Sequence, residues 1–149
     1  MSIKKLKLKI ITPEKLILED MVDQVTIPTT EGEITVLPEH IPLIAPIKSG
    51  DIVAMTSGEF IPMAVAGGFV EVKIGENNMT EVAVLADFAE HVADITDEAI
   101  AKAKERSIEL AKLAENKDSV DFEHFESELE RSLTRIKIAD KWKSKKYKR

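Results

Sequence analysis

Hydrophobic and polar residues alternate through the first part of the chain and then change their period. Between residues 5 and 11, Leu6, Leu8 and Ile10 alternate with Lys7 and Lys9. That period of two lays one face of a strand on a core. Short runs at 16–20, 21–27, 34–36, 43–47, 52–55, 59–65, 68–74 and 81–85 repeat the pattern or are uniformly apolar. Turn signals separate them: Thr12-Pro13-Glu14-Lys15, Pro28-Thr29-Thr30-Glu31-Gly32-Glu33, Lys48-Ser49-Gly50-Asp51 and Gly75-Glu76-Asn77-Asn78. About eight to ten short strands, punctuated at intervals of roughly 8–12 residues, predict an antiparallel β-sandwich or flattened barrel. Gly67-Gly68 before Phe69 predicts a bulge or a close backbone approach. Pro62 belongs at an edge or bulge, because proline cannot donate to a ladder.

After Leu85 the spacing becomes helical. Ala99, Ile100, Ala103, Ser107, Leu110, Ala111 and Ala114 recur at three and four. Asp94 or Thr96 can cap this helix, and Asp97 and Glu98 suit its positive end. Its alanine-rich side lets another helix come close. A polar break at residues 115–119 precedes Phe122, Phe125, Leu129, Leu133 and Ile136, the stripe of a second helix capped by Asp118 or Ser119. Acidic residues crowd the first half of that helix and basic residues the second, both favourably placed for its dipole. A loop of about five residues makes the pair an antiparallel hairpin. The chain therefore divides into a β-sandwich over residues 1–88 and a helical hairpin over 89–149, an α+β organisation. One two-helix seam buries too little to offset its own ordering entropy. The hairpin must lean on the sandwich or on something else, which makes it a movable element.

Composition narrows the function. The 149 residues carry a net charge of −6, which opposes general nucleic-acid binding. There is no cysteine, so disulfides, zinc–thiolate sites and thiol catalysis are excluded, and a cytosolic chain is expected. No run of ~18 apolar residues exists to span a membrane. The basic N-terminus leads into an alternating strand rather than a signal peptide, and the lack of a transit peptide favours a bacterial or organelle-encoded protein. Of the last nine residues six are basic and none acidic. An acidic docking partner is a reasonable reading of that tail.

Candidate chemistry is sparse. His40 sits in Pro38-Glu39-His40-Ile41-Pro42, a rigid surface corner, since proline fixes φ and pushes the preceding residue away from helix. A hydrolase using His40 with Glu39 or Glu33 is one conceivable reading. No Ser, Lys or carboxylate is placed to form a nucleophile relay around His40, which favours contact over catalysis. His91, beside Glu90 and Asp87, reads as a polar linker, and His124 as a solvated position. There is no phosphate loop, and Gly67-Gly68 precedes a strand, so it is not a dinucleotide fingerprint. Residue patterns alone describe a two-part binding or coupling module with no visible active site. A generic β-sandwich adaptor remains the other reading.

Four motifs add a family. They are Thr30-Glu31-Gly32-Glu33-Ile34-Thr35-Val36-Leu37-Pro38-Glu39-His40-Ile41-Pro42-Leu43, Lys48-Ser49-Gly50, Gly67-Gly68-Phe69-Val70-Glu71-Val72 and Val84-Leu85-Ala86-Asp87-Phe88-Ala89-Glu90. In order and spacing the chain resembles the epsilon-subunit family of bacterial F-type ATP synthases, equivalent to mitochondrial delta. The second helix matches only in character. The resemblance implies a ten-stranded β-sandwich, a two-helix hairpin and a non-catalytic rotor subunit on the cytoplasmic face of the bacterial membrane. It implies that Glu31, Gly32 and Glu33 face the c-ring and that His40, Pro42 and Ala45 lie against gamma. It implies hairpin helices that fold against the sandwich or extend into the catalytic head, where they inhibit ATP hydrolysis. Arg131, Arg135, Lys137, Lys141 and Lys143 would there meet acidic segments of the beta subunits. Some members bind ATP at an Ile/Leu-Asp-x-x-Arg-Ala motif. This chain has Ile95-Thr96-Asp97-Glu98-Ala99-Ile100, without the Asp and Arg at their places, so no cofactor is expected.

Overall fold

A computed structural model of the protein describes residues 4–115 and 122–145. Within them lie β1 (Leu6–Ile11), β2 (Leu16–Val22), β3 (Gln24–Thr29), β4 (Gly32–Val36), β5 (Leu43–Pro46), β6 (Gly50–Thr56), β7 (Glu59–Ile74), β8 (Thr80–His91), α1 (Asp97–Ala114) and α2 (Phe122–Lys145). The candidate caps Asp118 and Ser119 and the tail beyond residue 145 lie outside the described residues.

The strands follow the order β2-β1-β8-β7-β6-β3-β4, with β5 on β7. Eight strands stand where about ten short ones are expected, because the two longest serve both layers. The first half of β7 pairs with β6 and its second half with β5, while β8 runs beside both halves. The expected strands at 59–65 and 68–74 are thus one. The sheet turns at Gly67 and Gly68, with φ of 68° and 117°. A Cβ on Gly68 would lie 2.1 Å from the Leu85 carbonyl oxygen and 2.8 Å from the Ala86 Cα. This is the close backbone approach that the glycine pair predicts. Pro62 pairs with Val53 one residue beyond the last rung of the β7–β8 ladder, Met63 to His91. It sits where proline's missing donor costs least.

Two expectations change. The sandwich is not wholly antiparallel, since β1 pairs in parallel with β8. The first and last strands meet after the chain has wound through the other six, and so long a crossover permits the parallel direction. Also, β8 continues to His91, three residues beyond residue 88, because Ala89 still faces the core. A short 3-10 turn over Val92–Asp94 leads on to α1.

The core between the layers is made of the alternating side chains. Leu6, Leu8 and Ile10 of β1, Val25 and Ile27 of β3, and Val82 and Val84 of β8 are at most 1% exposed. A second, smaller cluster lies beneath the hairpin. Ala64, Val92, Ile95, Ile100, Ile138 and Ala139 pack there with Phe88, Ala99 and Trp142. Thr96, not Asp94, caps α1: its side-chain oxygen accepts from the Ala99 N–H at 3.0 Å. In α2 the expected stripe is displaced. Ser132, Thr134, Ile138 and Ala139 are buried, whereas Leu133 is 50% exposed. The helix packs on both α1 and the sandwich, so its buried surface is wider than one stripe and rotated from it.

Candidate functional site

The motif at 30–43 builds two separate features. Gly32, at φ 121°, closes the hairpin between β3 and β4. Thr29 Oγ1 accepts from the Glu31 N–H at 3.3 Å and donates to the Gly32 carbonyl. The Thr30 N–H reaches the Pro46 carbonyl at 3.1 Å. These bonds stiffen a tip on which the side chains of Glu31 and Glu33 are exposed. The five residues of β4, at ~3.3 Å each, then carry the chain roughly 16 Å to the corner.

At the corner Glu39 takes φ 74°, costly for a residue with a Cβ. Three contacts hold it. Its N–H donates to Thr80 Oγ1 at 2.7 Å, its carboxylate pairs with Lys4, and the next N–H, of His40, reaches the Leu37 carbonyl at 3.1 Å. His40 Nδ1–H donates to the Ile41 carbonyl at 2.7 Å. His40 and Glu39 therefore serve different partners and form no acid–base pair. Pro42 is exposed, but Ala45 turns inward and packs on the core. Its neighbours Ile44 and Pro46 face outward, as the alternation of β5 requires.

Those outward residues open a feature that the motif does not reveal. Pro46 lies opposite Phe69, Phe69 opposite Leu85, Leu85 opposite Ile11 and Ile11 opposite Leu16. They form an apolar row across four neighbouring ladders on the outer face of one layer. Phe69 and Leu85 are each 57% exposed, and Ile41 and Ile44 extend the patch toward the corner at 74% and 71%. Away from the row the same face turns ionic, with Lys7–Glu19 at 3.3 Å and Lys73–Glu81 at 3.8 Å. A contiguous apolar row bounded by charges marks a contact surface. A signal for it exists in the sequence. Phe69 and Leu85 are large apolar residues at the outward parity of strands whose inward parity is already filled by Val70, Val72, Val82 and Val84.

The opposite face is covered by α2, and most of its cations are already engaged there. Arg131 reaches the Asp87 carbonyl at 3.4 Å, and Arg135 pairs with Glu90 at 2.7 Å while lying 5.3 Å from the Phe88 ring centre. Lys141 binds Asp51 at 2.8 Å, and Lys143 pairs with Asp97. The hydrogen bond from Lys143, helped by its charge, holds the Asp97 carboxyl below the ordinary range. Lys137 is exposed and lines an open cleft of about 670 Å³ with Glu123, Glu126 and Glu130. Between the helices, Arg106 Nε donates to Glu128 at 2.9 Å and Arg106 also pairs with Glu109. That bond lowers the Glu128 pKa and raises that of Arg106. His91 ties β8 to the Ile17 carbonyl at 3.3 Å, and His124 lies 3.7 Å from Glu128. Among the described residues, no group of three or more His, Cys, Asp or Glu side chains could hold a metal, and no helix is long and apolar enough to cross a membrane.

Comparison with known proteins bears on the family and the fold. Residues 5–92 match the family model described as ATP synthase, Delta/Epsilon chain, beta-sandwich domain. The ATP synthase epsilon chain of Syntrophobacter fumaroxidans is 37% identical over 137 residues, covering 92% of this chain and 97% of that one. That of Nitratidesulfovibrio vulgaris is 38% identical over 135 residues, covering 91% and 96%. Among solved structures, a chain of the Euglena gracilis mitochondrial ATP synthase assembly of OSCP, F1 and c-ring shares the fold. Its TM-score is 0.66 at 24% identity, with 87% of this chain and 78% of that chain covered.

Proposed function

The chain belongs to the delta/epsilon family of ATP synthase chains, and from that premise we propose how its two faces divide the work. It is a central-stalk subunit, structural rather than catalytic, and its partners are gamma, the c-ring and the catalytic head. The observation that carries the division is the apolar row Pro46–Phe69–Leu85–Ile11–Leu16 on the face that the hairpin leaves open. A lasting contact requires apolar area to bury, and this face supplies it. Gamma docks there, along Ile41, Pro42 and Ile44, with His40 at the margin. The acidic tip of Glu31, Gly32 and Glu33 meets the polar loops of the c-ring. Its short loop and braced backbone suit a contact that transmits torque.

The second face is regulatory. In the folded hairpin Arg131, Arg135, Lys141 and Lys143 spend their charge on the sandwich and on the start of α1. When the hairpin extends, those cations and Lys137 become available to acidic segments of the beta subunits, and ATP hydrolysis is inhibited. The subunit works at the cytoplasmic face of the membrane, held there through the complex. Mixing the protein with an alpha-beta-gamma complex tests this reading. Co-purification with a lowered rate of ATP hydrolysis is expected, and removal of everything after residue 94 should keep the binding and relieve the inhibition. Failure to bind overturns the stalk assignment of the row. Binding with hydrolysis equally inhibited after truncation overturns the role of the hairpin.

A further inference from the structure

The far end of α2 is fastened differently from the rest of the helix. Along its length the ties are partly open to water. Ser49 Oγ donates to Glu130 at 2.6 Å on the exposed surface, the Arg135–Glu90 side chains are 31% and 27% exposed, and Asp97 in the Lys143 pair is 93% exposed. Such pairs hold weakly. Asp51 is the exception. Its side chain is only 10% exposed, and its Oδ2 accepts from both Lys141 Nζ and Trp142 Nε1, each at 2.8 Å. Asp51 lies opposite Ala64 in the β6–β7 ladder, and Ala64 belongs to the apolar cluster beneath α2. The Trp142 ring joins that cluster and meets Phe60 at 6.1 Å between centres, tilted by 50°.

We propose that Asp51 is a clasp for the C-terminal end of α2 and that opening it is the step an acidic partner must drive to release the hairpin. The inference rests on the reading that α2 carries its cations to an acidic segment. A carboxylate withdrawn from water must keep its donors, and removing one leaves a buried charge underserved. Opening the end of α2 returns Asp51 to water, so weakening the clasp favours the open hairpin. Once α2 moves away from the sandwich, Lys141 is out of reach of Asp51, so in the open hairpin its ammonium turns to the partner's carboxylate instead. The clasp and the partner therefore compete for one ammonium, and the clasp sets the threshold of that exchange.

Hydrogen exchange on the full chain, with emission from its one tryptophan, tests the clasp without any partner. Asp51→Ala and Lys141→Gln should each lower protection across α2 roughly ten- to hundredfold while leaving β1 and β8 unchanged. Tryptophan emission should shift to the red in Asp51→Ala. Unchanged protection in α2, or a loss shared equally by the sandwich strands, overturns the proposal. If Asp51→Ala does not fold, Lys141→Gln and Trp142→Phe decide, since both alter only the helix side. In an assembled complex Asp51→Ala should inhibit hydrolysis more strongly than the parent chain. A loosened α2 with unchanged inhibition supports the clasp and overturns the competition.

Discussion

Replacing Phe69 by threonine measures what the apolar row contributes. Threonine keeps the strand preference of the position and removes the ring. Phe69 is 57% exposed, and a phenylalanine buries about 200 Å² when fully covered, so roughly 110 Å² of it is open to a partner. At ~25 cal/mol per Å² that area is worth up to about 3 kcal/mol. Threonine recovers part of it, and a loss of about 2 kcal/mol or more weakens gamma binding by roughly thirty- to a hundredfold. The free protein should notice less, because it loses only the cross-strand contacts with Pro46 and Leu85, each worth about 1 kcal/mol at most. Titration of the variant onto a gamma-containing complex gives the affinity, and thermal unfolding of the free chain gives the control. A variant that folds normally and binds gamma as tightly as the parent would remove the row from the interface.

Gly68→Ala should destabilise the sandwich by at least about 3 kcal/mol in urea unfolding, since its Cβ would overlap the Leu85 carbonyl at 2.1 Å on a backbone of φ 117°; a near-neutral result would mean the two layers do not approach so closely there. Thr96→Ala removes the cap bond to the Ala99 N–H and should cost about 1 kcal/mol, seen as faster hydrogen exchange in the first turn of α1 but not in β1. Because the Arg106 hydrogen bond lowers the Glu128 pKa, the tie between the helices is fully present above an ordinary carboxylate pKa of about 4.3 and is lost as pH falls through the lowered value. Far-UV circular dichroism should therefore show the hairpin steady from pH 7 to about 5 and loosening further into acid, and Glu128→Gln should abolish that acid step. Persistence of the step in Glu128→Gln would assign it to another group.

The residue pattern reveals more of the sandwich than of its surface. Strand positions, the turns at Gly32 and Asn77, the Gly67-Gly68 approach and the Pro62 position follow from local rules of period and backbone freedom. The strand count does not, because 59–65 and 68–74 carry a break in pattern at the glycines although the ladder to β8 continues on both sides of Gly67. The parallel pairing of β1 with β8 is invisible to any local rule, being a contact between the two ends of the domain. The motif at 30–43 marks the tip and the corner as exposed structures, whereas for Ala45, which the resemblance sets against gamma, only the pleat of β5 shows that Ile44 and Pro46 are the outward pair. In α2 the helical period is right and the phase wrong. Leu133 lies outside the buried surface because the helix answers to two neighbours, and a single-stripe reading supposes one.

The two faces differ in the physics that holds them, and that difference suits their roles. The core between the layers is continuous, with eighteen buried apolar residues in one cluster among the described residues. The cluster under the hairpin has six, two of them alanines. Apolar burial therefore fixes the sandwich as a stiff body and leaves the hairpin close to balance. The remaining grip on α2 is polar, and most of it faces water. Polar ties of that kind exchange readily for equivalent ties elsewhere, because an arginine or lysine gains a similar amount from any well-placed carboxylate. An apolar row has no such substitute in water and favours a contact that, once made, stays made. On this argument the outer face provides permanence and the hairpin face reversibility. Asp51 is the exception among the polar ties, being almost withdrawn from water, so the threshold for release concentrates at Lys141 and Trp142.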